Sequence, residues 1–203
     1  DTHPFLRNRC YGSDLDTVVT VGRAVVDGCL GGGVFPVVKH IPGHGLARMD
    51  SHLDLPTIDA SEETLNAIDF AAFRPFADVA MGMTAHLVYS ALGETGPATT
   101  SETMISRIRT DIGFSGLLMT DDISMQALSG SLPERGEASI NAGCDVILHC
   151  NGDLSERIAL MNRIGAMSAA SQSRAEAALA TRPTAQDVDI RTLKAKHAAL
   201  EQD

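Results

Sequence analysis

Four short apolar runs recur between stretches of helical periodicity, and most of them pass straight into polar residues. The first is Val34-Phe35-Pro36-Val37-Val38, leading into Lys39 and His40, and the second spans Met81 to Leu87. The third, Gly116-Leu117-Leu118-Met119, leads into Thr120, Asp121 and Asp122, and the fourth, Asp145-Val146-Ile147-Leu148, leads into His149. Their brevity and continuous apolar character predict strands buried on both faces. Pro36 is at odds with the first of them, because proline cannot donate to a ladder. The intervening segments read as helices. Leu15, Val18, Val19, Gly22, Val25, Val26 and Cys29 share one face of a segment that starts at Ser13 and stops at Gly31-Gly32-Gly33. Ser61 caps a stripe of Leu65, Ile68, Ala72 and Phe76. Helices are predicted over 102–112 and 134–141, and residues 153–203 read as helical with one interruption near Arg182-Pro183.

Strands alternating with helices predict an α/β fold with a parallel sheet, either doubly wound or a (β/α)8 barrel. In both, sites are built at the C-terminal ends of the strands, where the polar residues fall here. Four strands cannot close an eight-stranded barrel, so a barrel would need strands preceding Asp1. No low-complexity linker or repeat divides the chain, which predicts a single domain over residues 1–203.

Composition removes several classes. The 203 residues carry 16 Lys plus Arg against 26 Asp plus Glu, a formal charge of −10, with no basic cluster to meet a phosphate backbone. A nucleic-acid partner is not expected. No apolar run approaches the roughly 18 residues of a membrane span, so no membrane partner is expected either. Hydrophobic residues make up 44% and charged ones 21%, enough apolar material for a core. Cys10, Cys29, Cys144 and Cys150 form no CxxC pair and no disulfide framework, which favours a reducing cytoplasm.

The densest stretch of reactive side chains is Lys39-His40-Ile41-Pro42-Gly43-His44-Gly45, followed by Asp50-Ser51-His52 and Asp54-Leu55-Pro56. Glycine and proline deny this loop a helix face, so packing does not account for three histidines. Three uses remain open. Asp50 could poise His52 as a proton donor and acceptor near neutral pH. His40, His44, His52 and Asp50 could hold a metal, although their spacing matches no known ligand pattern. The histidines could also simply bond the backbone. A second cluster is Thr120-Asp121-Asp122-Ile123-Ser124, where two acids leave an apolar strand. Burying a carboxylate costs on the order of several kcal/mol unless it is paired. Nucleophile, metal ligand and helix cap are the possible uses, and one of the two acids is expected to be a loop anchor. Taken singly, Arg9 reads as a surface ion pair and His86 as a satisfied buried imidazole; His149 is ambiguous, and His3 and His197 indicate no function.

Together, the Lys39–Gly45 motif, Asp50-Ser51-His52 with Leu55-Pro56, and Gly116–Met125 resemble bacterial cytoplasmic β-N-acetylglucosaminidases of glycoside hydrolase family 3. The three motifs agree in order and spacing, Arg9-Cys10-Tyr11-Gly12 sits where the family has an Arg-x-aromatic-Gly segment, and the resemblance runs through at least residues 1–150. It implies a TIM-like barrel of which this chain carries the C-terminal three-fifths, without the first strands and an aspartate they supply. It also implies a cytoplasmic retaining hydrolase that releases terminal β-linked N-acetylglucosamine from anhydro-muropeptides in cell-wall recycling, with no cofactor and no metal.

By that resemblance Asp121 is the nucleophile and Asp122 structural. His52 is the acid/base, oriented by Asp50, while Arg9, Lys39 and His40 bind sugar hydroxyls. Most retaining glycosidases use two carboxylates; here a histidine replaces the second. A neutral histidine repels an anion less than a carboxylate does, which keeps a phosphorylase as the rival enzyme. A non-catalytic sugar-binding remnant and a metal-dependent hydrolase are the rivals from other classes.

Overall fold

A computed structural model of the chain describes residues 9–47 and 55–200. Its centre is a four-stranded parallel sheet of β1 (Val38–Ile41), β3 (Met81–Thr84), β5 (Leu117–Asp122) and β6 (Val146–Leu148), arranged β1-β3-β5-β6. A second, two-stranded parallel sheet joins β2 (Thr57–Ile58) to β4 (Val88–Tyr89). The helices are α1 (Leu15–Gly31), α2 (Glu62–Ala67), α3 (Asp69–Phe73), α4 (Glu102–Thr110), α5 (Leu132–Ala142), α6 (Leu154–Ile164), α7 (Ala169–Ala180) and α8 (Ile190–Leu200). The predicted α/β class with a parallel sheet is therefore the observed one.

Local chemistry sets most boundaries. Asp14, rather than Ser13, caps α1, its Oδ1 accepting from Thr17 N at 2.9 Å. Ser131 and Glu134 form a reciprocal capping box at α5, and Asp153 with Glu156 does the same at α6. The first strand begins four residues later than the sequence predicts. Pro36 has no N–H to donate, pairing starts only at Val38, and Lys39 and His40 lie within the strand instead of after it. Likewise β5 includes Thr120, Asp121 and Asp122. The single helix predicted after Ser61 is broken at Ile68, whose φ of −118° and ψ of −73° leave helical geometry. The break turns Asp69 and Phe70 inward and leaves Ile68 exposed. Pro75 tightens the end into a 3-10 turn over Arg74–Phe76. The run 81–87 divides, because β3 ends at Thr84 and Val88 starts the small sheet. The tail has two interruptions, around Gly165 and between Thr181 and Asp189.

The large sheet departs from regular register at two places. Val38 pairs with Gly82 and Ile41 with Thr84, so three steps along β1 match two along β3. Met119 pairs with Val146 and Asp122 with Leu148, so β5 gains a residue over β6 in the same way. Such bulges re-aim side chains locally, and both fall on the polar residues singled out in the sequence. The main core lies beneath them, built from Ile41, Leu65, Phe70, Leu87, Tyr89, Met104, Ile108, Phe114 and Leu118, all at most 1% exposed. Among the described residues, no helix is long and apolar enough to cross a membrane.

At the opposite end of the sheet, the Asp145 side chain is 0% exposed and accepts from Arg174 Nη2 at 2.6 Å, Arg109 Nη2 at 2.8 Å and Leu118 N at 2.9 Å. Burial pushes its pKa up, but the bonds from Arg174, Leu118 N and Ser171 and the charge of Arg109 outweigh it and leave the carboxyl below 3.8. The stability this group supplies is thus complete above that value and lost as pH falls through the lower folded pKa. Replacing it strands two guanidinium groups and a backbone N–H. Asp145→Ala is expected to cost about 3–5 kcal/mol in urea unfolding, and Asp145→Asn less, since the amide oxygen still accepts from Leu118 N. A loss below about 1 kcal/mol for alanine, the range of exposed pairs, would show that the network does not tie α4 and α7 to the sheet.

Candidate active site

β5 alternates between half-buried and buried residues, with Leu118, Thr120 and Asp122 on the buried side and Met119 and Asp121 on the other. The two adjacent acids therefore part company. Asp122 turns into the protein, where both carboxylate oxygens are occupied: Oδ1 accepts from Ser124 N and Cys150 N at 3.0 Å each, and Oδ2 from Ser124 Oγ at 2.6 Å and Asn151 Nδ2 at 3.2 Å. Burial pushes its pKa up, yet these bonds prevail and hold it below the ordinary carboxylate value. Asp121, at the C-terminal end of β5, lies on the opposite, half-buried side with its side chain 17% exposed. Its Oδ1 accepts from Asp122 N at 2.8 Å, and its Oδ2 lies 3.3 Å from His40 Nε2.

His40 arrives from β1, two strands away, through the bulge between Val38 and Ile41; the Lys39-His40 and Ile41-Pro42 peptides are both cis. Its side chain is 12% exposed, and its ring stands edge-on to His44 with centroids 5.8 Å apart. Burial holds the imidazole pKa well below the usual value, against the pull of Asp121 and with the help of the positive charges of Lys39 and Arg9. His40 is therefore neutral near pH 7. Lys39 and Arg9 are themselves exposed.

Of the six side chains singled out in the sequence, the structure brings His40 and Asp121 into contact. His40 touches Asp121, and the charges of Lys39 and Arg9 reach His40. Asp50 and His52 lie outside the described residues. The loop that leads toward them leaves from an anchored point. Tyr89 Oη donates to Gly43 O at 2.6 Å, and Asp69 packs against Gly43 so closely that a Cβ there would sit 2.5 Å from its Oδ1. Gly43 has a φ of +151°, a second reason for glycine. Burial raises the Asp69 carboxyl to about 6.

Sequence reasoning passed over several supports of this site. Asp69, Tyr89, Thr99 and Asn151 carry no motif, and only their positions in the fold bring them here, while Ser124 lies in the Thr120–Ser124 cluster without its bonding role being readable. His86 is the satisfied buried imidazole that the sequence favours, bonded at both ring nitrogens. His149 is half-buried, its Nδ1 4.0 Å from Asp122 Oδ1, beyond hydrogen-bond range. Among the described residues no group of three or more His, Cys, Asp or Glu side chains converges as a metal site would require.

A parallel α/β sheet with a carboxylate and a neutral imidazole facing each other at its C-terminal edge defines a class of enzyme-like site. The chain belongs to glycosyl hydrolase family 3: the family's N-terminal domain matches residues 2–181. It is 37% identical over 150 residues to a beta-hexosaminidase of Tolumonas auensis, covering 71% of this chain and 45% of that one. It is also similar to the solved family 3 β-N-acetylglucosaminidase from Paenibacillus sp. strain FPU-7, with a TM-score of 0.82 at 29% identity over 93% of this chain and 39% of that chain. NagZ from Neisseria gonorrhoeae, solved with N-trifluoroacetyl-D-glucosamine, gives a TM-score of 0.67 at 30% identity over 89% and 59% of the two chains. The chain spans less than half the length of the Tolumonas protein.

The protonation states at this edge have a measurable consequence. Folding holds His40 and His86 neutral, so the unfolded chain binds more protons once pH drops below about 6.5, the free imidazole value. Stability then declines, by up to about 1.4 kcal/mol per pH unit for each group, until the folded pKa is passed. Urea midpoints measured from pH 7 to pH 4.5 should fall accordingly, and His40→Asn should flatten that slope. Protonation of the His40 ring near pH 6.5 in NMR titrations would contradict the arrangement.

Proposed function

We propose that this chain forms the part of a retaining β-N-acetylglucosaminidase that holds the nucleophile and the acid/base. The observation that carries this reading is the division between two neighbouring acids: Asp122 is fully engaged by the loop, while Asp121 offers an oxygen at the C-terminal end of β5 beside a neutral imidazole. A carboxylate that is to attack an anomeric carbon must be ionised, fixed and accessible, and Asp121 has the contacts for it. The Asp122 N–H holds Oδ1 in place and leaves Oδ2 as the attacking atom.

In the first step Asp121 Oδ2 bonds to the anomeric carbon while the bond to the leaving oxygen breaks, and His52, oriented by Asp50, gives that oxygen a proton. In the second step His52 takes a proton from water, which displaces Asp121 from the sugar. Arg9, Lys39 and His40 hold ring hydroxyls, with His40 neutral and thus able to donate or accept. The relatives' names, beta-hexosaminidase and β-N-acetylglucosaminidase, support N-acetylglucosamine as the released sugar. NagZ of Neisseria gonorrhoeae, solved with an N-acylated glucosamine, points the same way. The natural substrate on this reading is an anhydro-muropeptide of peptidoglycan recycling, met in the cytoplasm.

Residues 1–203 then form one catalytic domain that contributes the last strands of a TIM-like (β/α)8 barrel. The strand order supports this, because β1, β3, β5 and β6 follow one another without the reversal of a doubly wound sheet.

The full-length protein should release the chromophore from an aryl β-N-acetylglucosaminide. Asp121→Ala should abolish release by roughly 10⁴-fold or more. His52→Ala should cost roughly 10²–10⁴-fold with a poor leaving group and less with an activated aryl group, which needs little protonation. A glycosyl adduct on the Asp121 peptide during slow turnover would complete the case. Wild-type rates in Asp121→Ala would sink it. Appearance of sugar 1-phosphate when phosphate is added would replace the hydrolase by a phosphorylase, and full-length protein that binds the sugar without turnover would make it a non-catalytic binder.

A further inference from the structure

Behind Asp121 and Asp122 lies a buried polar chain that takes no part in the proton and sugar transfers of glycoside hydrolysis. His86, 1% exposed, follows β3 and makes two hydrogen bonds: Nδ1 with Thr99 Oγ1 at 2.7 Å and Nε2 with the backbone carbonyl of Asp122 at 3.1 Å. Thr99 Oγ1 is in turn 2.8 Å from Thr84 Oγ1. Thr84 and Thr99 are both 0% exposed.

For a neutral ring, proton bookkeeping leaves one arrangement that satisfies both ring contacts, and it directs the single Thr99 hydroxyl proton to Nδ1 at 2.7 Å rather than to the Ala85 carbonyl, which lies 3.1 Å from Thr99 Oγ1. The Asp122 carbonyl can only accept, so Nε2 carries the ring proton. Nδ1 must then accept, which it does from the Thr99 hydroxyl, and Thr99 Oγ1 accepts from the Thr84 hydroxyl. Burial favours this uncharged ring.

We infer that His86 is a positioning residue for the nucleophile: through its Nε2–H it fixes the Asp122 carbonyl, and through the Asp122 Cα it steadies the preceding peptide, whose N–H bonds Asp121. The inference rests on the assignment of Asp121 as nucleophile. Asp122 is the hub. Its N–H goes to Asp121 Oδ1, its carbonyl to His86 and its carboxylate to Ser124, Cys150 and Asn151. The Asp122 carbonyl also accepts from Met125 N at 3.1 Å in the turn after β5; His86 adds a second donor from the segment after β3, which ties the carbonyl across the sheet as well as within its own turn. The Asp122 carbonyl sets the tautomer, and the Thr99 hydroxyl supports it by donating to the Nδ1 lone pair.

Two readouts test this in the full-length protein. Nitrogen-15 NMR of the labelled imidazole should place the single ring proton of His86 on Nε2, and the carboxyl carbon signal of Asp121 should move in His86→Leu and return toward its original position in His86→Gln, whose terminal N–H can still reach the carbonyl. With the aryl β-N-acetylglucosaminide, His86→Leu should lower kcat roughly 10- to 100-fold, the scale of a misplaced reacting group, with KM nearly unchanged. His86→Gln should recover most of that loss. If His86→Leu does not fold, Thr99→Val carries the test, with a smaller loss of kcat and an Nδ1 signal moved by the loss of its donor while the proton stays on Nε2. A proton on Nδ1 in the wild type, an unmoved Asp121 signal, or a glutamine variant no better than leucine at equal thermal stability would overturn the proposal. Wild-type protein with no glycosidase activity would instead overturn the assignment of function, and the NMR measurements would still decide whether His86 sets the Asp121 carboxylate.

Discussion

Adjacent residues on a β-strand point to opposite faces, and a pair of neighbouring carboxylates cannot escape that rule. Asp121 and Asp122 obey it: one lies on the half-buried side and the other turns into the protein. The buried partner would be prohibitively costly without donors, so the chain around it is arranged to provide them. Ser124 comes from the turn after β5, and Cys150 and Asn151 come from the connection after β6. Stabilising Asp122 in this way also fixes Asp121, since the two share a peptide. An anchoring acid and an outward-facing acid are thus two consequences of one strand geometry.

Electrostatics divides the edge along the same lines. Asp122 and Asp145 are buried among donors, which keeps them ionised, whereas His40 and His86 are buried without enough charge to keep them protonated. Asp121 therefore faces a hydrogen-bonding ring rather than a cation, and a permanent ion pair does not occupy the oxygen that faces the edge. Positive charge stands further out, on Lys39 and Arg9. A neutral polyhydroxylated ligand suits such a surface, because its hydroxyls can both donate to the carboxylate and accept from the outer cations.

How much of this was legible depended on whether local chemistry or tertiary pairing decided the outcome. The four strands were readable as apolar runs, and α1, α4 and α5 from apolar spacing and caps, because those signals lie within a few residues of one another. Strand limits were not. Where β1 begins is set by its pairing with β3 and by Pro36, and where β3 ends is set by the second small sheet, both long-range facts. The break at Ile68 escaped for a related reason: the stripe of Leu65, Ile68, Ala72 and Phe76 fits a continuous helix, yet the core takes Phe70 instead. At the site, the Asp121-Asp122 pair and the Lys39-His40 pair were visible because acids and bases are rare beside apolar runs. The residues alone left open which acid anchors; the family resemblance made Asp122 the structural one, and the alternation of burial along β5 puts Asp122 on the buried side. Thr84, Thr99 and Tyr89 were invisible, since a hydroxyl in an apolar stretch gives no hint of its distant partner.

The β5–β6 pair shows how such partners act together. At its start, Asp145 N donates to Leu118 O at 2.8 Å while Asp145 Oδ2 accepts from Leu118 N at 2.9 Å, and Arg109 and Arg174 close over the same carboxylate. At its end, Ile123 N donates to Leu148 O at 3.0 Å, and Asp122 gathers donors from both strands' loops. Between these two locks the register slips, and there Thr120 Oγ1 accepts from Leu148 N at 2.9 Å in place of a backbone carbonyl. A bulge held only by its own ladder would be free to shift back by one residue and carry Asp121 to the wrong face. Locked at both ends by buried aspartates and bridged by a threonine hydroxyl in the middle, it has one register, and the carboxylate that leaves the sheet at Asp121 has one direction in which to point.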